Sequence, residues 1–251
     1  MRAFFLFFSF LYGLLIGSFL NVVIHRLPKR ESVAWPASHC PRCFVPLEWW
    51  ENIPLLSFLG LRGRCRTCKQ PISWRYPLVE AATGLLFLLV FHLEGFGIKG
   101  IALALFCSLL VVIFWIDIDE MLILNVLTFP GIALGLAFSA WNGHFLSALL
   151  AGVGGYVLFE AIAYLSLWIL KKEGMGHGDT LLAAMLGAWL GVQGLIVALY
   201  FSFFIGAVVG LAMRFRRGKS EYFPFGPAMV IGGLLSLFWG ASIGHWYLAL
   251  F

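Results

Sequence analysis

The chain has 251 residues, of which 61% are hydrophobic and only 12% charged, with a formal net charge of +5 and a mean hydropathy of +0.94. A soluble domain carries roughly 25% charged residues, so this polypeptide has too little polar surface to cover a core in water. The composition excludes an ordinary soluble protein and requires lipid as the solvent.

Apolar stretches near 4–24, 78–94, 99–116, 121–141, 146–170, 180–197, 198–214 and 227–249 are each close to the roughly 20 residues that cross a hydrocarbon layer of about 30 Å as a helix. The expected fold is therefore an all-α integral membrane protein with about eight transmembrane helices and a small cytoplasmic, zinc-ribbon-like loop domain. The first stretch follows Met1-Arg2 as a signal peptide would. It continues through Gly17-Ser18-Phe19-Leu20-Asn21 to His25-Arg26 and reads as a retained anchor. This gives a first transmembrane helix over 1–24, a loop domain over 25–77 and a polytopic domain over 78–251. The division between the sixth and seventh spans is marked only by Gly191-Val192-Gln193-Gly194.

Cytoplasmic loops carry the excess of Lys and Arg. With the N-terminus outside, the segments 25–77, 117–120, 171–179 and 215–226 are cytoplasmic, and they or their edges hold 15 of the 17 cations, leaving Arg2 and Lys99 outside. Topology and anionic inner-leaflet lipid then account for the net charge, and no nucleic-acid partner is needed.

Within 25–77, Cys40-Pro41-Arg42-Cys43 and Cys65-Arg66-Thr67-Cys68 form two C-x2-C pairs. In a tetrahedral thiolate site each such knuckle presents two sulfurs to one ion. Cys40, Cys43, Cys65 and Cys68 are thus candidate ligands for a structural zinc, with Arg42, Arg64, Arg66 and Lys69 helping to keep the thiolates ionised. The alternative, two disulfides, conflicts with a reducing cytoplasm. Cys107 reads as apolar filler inside a span.

The chain has three aspartates, Asp117, Asp119 and Asp179, each where an apolar segment meets a polar one. An ionisable residue at membrane depth points to function. Asp179 ends Gly174-Met175-Gly176-His177-Gly178-Asp179, where Gly174, Gly176 and Gly178 would let a substrate strand approach or permit a strained turn. It also stands where it can cap the next helix. Two carboxylates sharing one proton can split the work of peptide hydrolysis, one activating water and the other polarising the carbonyl. Asp117 and Asp119 lie about 160° apart on a helix, so only one of them can face Asp179, and the spacing leaves open which. His177 reads as a solvated neighbour or a third participant.

The order of these motifs resembles the bacterial type IV prepilin leader peptidase family, bifunctional peptidase/N-methyltransferases and membrane aspartic peptidases with a G-x-G-D signature. The resemblance rests on 17–28 (GSFLNVVIHRLP), the Cys pairs, Ile53-Pro54-Leu55-Leu56-Ser57, 72–80 (ISWRYPLVE), the segment from Ile116-Asp117 to Asn125, 173–179, and Phe225-Gly226-Pro227. It implies Asp117 as the partner of Asp179 and an active site facing the cytoplasm of the bacterial inner membrane. The implied substrates are prepilins or type II secretion pseudopilins, whose basic leader is cut off after a glycine. It further implies N-methylation of the new terminus from S-adenosylmethionine. No independent signature for that methyl donor exists here, and Asn21, Arg26, Arg75 and Glu80 are polar residues that serve equally as headgroup contacts or internal ties. The chain departs from the pattern in two places: Leu124 replaces a proline, and Thr180-Leu181 replace Phe-Lys. The competing classes are a proton-coupled transporter, which would place its acids near the midplane and show repeated halves, and a non-catalytic pilin assembly factor.

Overall fold

The computed structural model of the protein describes residues 2–171, 176–217 and 224–249. The helices are α1 (Arg2–Arg26), α2 (Leu56–Gly60), α3 (Arg75–Glu94), α4 (Ile98–Glu120), α5 (Asn125–Trp141), α6 (Phe145–Leu170), α7 (His177–Arg217) and α8 (Gly226–Leu248), with a 3-10 turn at Trp49–Asn52. Among the described residues there is no strand, only two isolated β-bridges. The chain divides into two compact units, Met1–Val112 and Ile113–Phe251, the boundary falling inside α4.

In the first unit, α1 and α3 pack antiparallel through glycines. A Cβ on Gly13 would stand 2.8 Å from Gly84 Cα, and one on Gly17 would stand 2.7 Å from Glu80 Cα. Gly13 and Gly17 form the G-x-x-x-G spacing that lets backbones approach in lipid, where dispersion replaces the hydrophobic effect as the driving force. The antiparallel pairing returns both ends of the intervening loop to one end of the helix pair.

Six helices among the described residues are long and apolar enough to cross a membrane, and α5 is a shorter apolar helix. The remaining span comes from α7, which is two arms rather than one rod. Gly191 has φ 68° and ψ −176°, a backbone state reserved for glycine. The space beside the α6 residue Gly155 is met by Ala183 O at 2.9 Å and by Leu195 Cδ2 at 3.2 Å. Residues so far apart on a straight helix could not both reach that point, so the chain reverses at Gly191. The reversal falls at Gly191, the first residue of the segment expected to mark this division, so the sixth expected span ends before 197, and with α7 as two arms the described residues hold eight apolar helical segments. Ser147 Oγ accepts the Val192 N–H at 3.2 Å, satisfying a donor that the start of the second arm would otherwise leave open.

The second unit is also built on close backbone approach. Gly131 and Gly135 of α5 meet Met185 and Trp189 of α7, Gly155 and Gly187 join α6 to the first arm of α7, and Gly232 of α8 meets Ala198 and Ser202 of the second arm. Trp189 Nε1 donates to Gly131 O at 2.8 Å, and Ser139 Oγ donates to Ala188 O at 2.9 Å. These contacts set α5 parallel to the first arm, so both begin at one end of the unit. The span expected from 121 starts later, at Asn125, because Met121 takes a left-handed turn (φ 52°) and Leu124 is extended.

Candidate functional site

Asp117 lies in the last turn of α4 and is buried, 4% exposed, whereas Asp119 is exposed. The helix geometry that separates the two thus puts one acid inside the unit and the other outside. Met121 N–H donates to Asp117 O at 3.0 Å, closing the helix, and the turn through Ile123 and Leu124 leads into α5.

Asp179 is the third residue of α7. Its Oδ2 accepts the Gly176 N–H at 3.2 Å, while its own N–H donates to Gly176 O at 3.1 Å. This is one half of a capping box, the side chain reaching back to the amide three residues earlier with aspartate in the usual place of glutamate, while Gly176, lacking a side chain, answers with its backbone carbonyl. The carboxylate therefore caps its own helix through one oxygen, and the capping alternative is realised together with a position inside the site.

Helix register brings the two acids to one place. The first arm of α7 and α8 run in the same direction, and Gly233 of α8 lies against Leu186 of α7. Seven residues back on each helix, two turns, returns to the same faces at Asp179 and Gly226. At Gly226 a Cβ would fall on Asp117 Oδ2, 3.0 Å from Asp117 Cγ and 3.2 Å from Ile123 Cδ1. A Cβ on Gly178 would stand 2.7 Å from Ile123 Cβ. Asp117 and Asp179 are close enough for the charge on one to act on the other, and the Gly226 amide approaches the Asp117 carboxyl. Asp117 Oδ2 is buried without a hydrogen-bond partner among the described residues.

Among the glycines before Asp179, Gly178 is required by Ile123 and Gly176 supplies the cap. Gly174 lies outside the described residues. His177 is spent on Glu160, its Nδ1 3.2 Å from Oε1, and turns toward α6. Thr180 and Leu181 are both buried, so at position 181 an apolar side chain suits the surroundings better than a cation. Leu124, with φ −82° and ψ 127°, already has a backbone that proline adopts, and α5 begins without it. The sequence reading missed Ile123 and the packing role of Gly226. The signal for Gly226 was its place beside Pro227 at the start of a span.

The four cysteine sulfurs lie within 4.8 Å of one another, with Cys40–Cys68 and Cys43–Cys65 at 3.9 Å. Tetrahedral sulfurs on a Zn–S bond of about 2.3 Å stand about 3.8 Å apart, so the cluster has the size to hold one metal ion, and its sulfurs are far beyond disulfide contact. The knuckles are copies. Cys40 N–H donates to Val45 O and Phe44 N–H to Cys40 O, and likewise Cys65 N–H to Gln70 O and Lys69 N–H to Cys65 O. Each carries a left-handed residue after its second cysteine, Phe44 at φ 57° and Lys69 at φ 58°, and then a proline, Pro46 or Pro71. The backbone amides of Cys68 and Thr67 bring the Cys65 thiol down to about 6, favouring the thiolate a metal requires.

Three polar residues between helices and loop act as ties. Arg26 donates to Ser32 O at 3.0 Å and Pro36 O at 2.8 Å, Asn21 Nδ2 to Tyr76 O at 3.1 Å, and Glu80 Oε2 accepts the Leu55 N–H at 2.8 Å. Burial calls for such partners, and the Asn21 amide nitrogen has one while its Oδ1 is buried without a partner among the described residues.

The chain matches two family models: the bacterial peptidase A24 N-terminal domain over residues 11–93, and the type IV leader peptidase family over residues 104–211. It is 41% identical to a prepilin leader peptidase/N-methyltransferase of Aeromonas hydrophila, covering 96% of this chain and 93% of that one. Proteins of the same name from Pseudomonas aeruginosa and Stutzerimonas stutzeri are 41% and 42% identical, over 96% and 94% of this chain and 92% and 91% of theirs. The chain belongs to the type IV leader peptidase family. No solved structure gives a significant match. The first of the two family regions contains the paired α1 and α3 with the four-cysteine loop between them. The peptidase-family region carries both Asp117 and Asp179.

Proposed function

We propose that this multi-pass membrane protein is an aspartic endopeptidase that removes the leader of type IV prepilins or pseudopilins, with Asp117 and Asp179 as its catalytic pair. The observation that carries this reading is the convergence of the two carboxylates at Gly226, at one end of the helices of a lipid-embedded unit. The printed names of the relatives supply the substrate class. In the reaction, one ionised carboxylate takes a proton from a water as its oxygen attacks the scissile carbonyl. The other, protonated, supports the developing oxyanion, and the proton passes to the departing amine as the C–N bond breaks. A substrate cut between a glycine and an apolar helix can enter from lipid with its basic leader at the surface.

The protein resides in this reading in the bacterial inner membrane, with the four-cysteine loop and the acids facing the cytoplasm, as the distribution of Lys and Arg favours. The four cysteines hold a structural zinc with no open coordination position. The mature N-terminus is methylated from S-adenosylmethionine, a role that rests on the relatives' names. The domain division at 24 and 77 belongs to the same proposal.

The experiment is leader removal from a prepilin by purified protein. Asp117→Asn and Asp179→Asn are expected to lose cleavage, while Asp119→Asn, changed on an exposed face, retains it. Full cleavage by Asp179→Asn would exclude the mechanism. Mass spectrometry of the product with and without S-adenosylmethionine reads the methyl transfer separately.

A further inference from the structure

The four-cysteine loop is not held clear of the helix ends. Glu80 lies five residues into α3, about 7.5 Å along the axis, and its carboxylate takes the N–H of Leu55, the residue directly before α2. Helix α2 therefore begins beside the first turns of a membrane-spanning helix, and the Phe58 ring lies 5.0 Å from that of Trp74, directly before α3. Leu56 and Leu59 stand three apart, on one face of a helical turn, and are 67% and 68% exposed; Trp74 is 70% exposed. Two leucines and a tryptophan so presented suit the headgroup boundary, where amphipathic aromatic rings collect.

Immediately after α2, Leu61, Arg62, Arg64, Cys65, Arg66 and Lys69 line an open cavity of about 360 Å3. Only one of the four ligands of the metal cluster touches it, so it lies beside that cluster. Arg66 is engaged by Glu51 at 3.4 Å and Glu48 at 3.5 Å. Arg62, Arg64 and Lys69 are exposed and make no ion pair among the described residues. Three exposed cations without a carboxylate partner among the described residues line the cavity, and they attract an anion and repel a basic peptide.

We propose that the four-cysteine module docks on the membrane surface through Leu56 and Leu59 of α2 and holds the phosphate of an anionic phospholipid with Arg62, Arg64 and Lys69. Free phosphate shares the charge but not the acyl chains that the α2 leucines would meet.

The test uses the full chain reconstituted in phosphatidylcholine with phosphatidylglycerol, released into detergent, and examined by native mass spectrometry for retained lipid. Surface cations contribute roughly a fivefold preference each for anionic lipid. An Arg62→Gln/Arg64→Gln/Lys69→Gln variant should therefore retain phosphatidylglycerol on the order of a hundredfold more weakly. A Leu56→Ser/Leu59→Ser variant should also weaken retention, and Arg214→Gln, an exposed cation near the end of α7, should not. Arg62→Gln alone, the cation of the three farthest in sequence from a cysteine, repeats the test with the metal content measured alongside, and about a fivefold loss is expected. Equal retention by the wild type and the triple variant would overturn the proposal. Displacement of the retained lipid by inorganic phosphate would overturn it too, in favour of a free-anion site.

Discussion

Replacing Gly226 by alanine tests whether α8 seats Asp117, one of the two acids proposed as the catalytic pair. The added methyl would fall on the Asp117 carboxyl, 3.0 Å from Cγ and 3.2 Å from Ile123 Cδ1. Ordinary carbon contacts are about 3.5–4.0 Å, so the carboxyl must retreat by roughly 0.5–1 Å. Overpacking of this kind costs about 1–3 kcal/mol of stability, which a membrane bundle can survive. A misplacement of about 1 Å costs on the order of a hundredfold in rate. The assay is the rate of leader removal, with thermal unfolding of the same preparation as the check on folding. Gly154→Ala on α6 is the control, since nothing lies within 4 Å of the added carbon, and it should keep full activity. Trimming Ile123 to valine in the Gly226→Ala background gives the carboxyl room to return and should recover part of the rate. Undiminished cleavage by Gly226→Ala would refute the contact as the seat of Asp117.

Gly191→Ala forces a left-handed alanine into the turn and sets its methyl 2.9 Å from Ser147 Oγ; a loss of about 1–3 kcal/mol is expected in thermal unfolding. Leu124→Pro should be tolerated within about 1 kcal/mol, because the backbone there already suits proline, and unfolding temperature with cleavage rate checks it. Glu80→Leu leaves the half-buried Leu55 amide without its acceptor, costing about 1 kcal/mol, and should speed proteolysis around α2 while metal content stays at one ion per chain. Cys40→Ser/Cys43→Ser should lose that ion in elemental analysis, and a chelator should reproduce the effect in the wild type.

The helical class and the two cysteine pairs were legible because hydropathy and C-x2-C spacing are local signals. The separation of Asp117 from Asp119 was equally local, being a matter of angle on a helix. The reversal was legible in Gly191-Val192-Gln193-Gly194, but the bounds of the two spans fell a few residues late because apolar character continues across it. The meeting of Asp117 with Gly226, across more than a hundred residues, depends on helix register. No single segment encodes that. The G-x-x-x-G of α1 was present in the sequence but hidden among many glycines, and Ile123 looked like any apolar residue until two glycines were found closing on it. The ties of Arg26, Asn21 and Glu80 could not be told from headgroup contacts without coordinates, because the same polar side chains serve either purpose.

The run of glycine contacts through the second unit has a mechanical consequence. Interlocked backbones leave little room for one helix to slide a fraction of a turn past its neighbour. A slip of one full turn would carry Gly226 about 5.4 Å from its seat. The separation of the two acids is gauged by notches along the apolar helices, at Gly233 on Leu186 and Gly131 on Met185, rather than by the loops that join the helices. Changes in bilayer thickness or lipid packing that strain those notches would reach the chemistry as a change in alignment, making the membrane itself a part of the ruler.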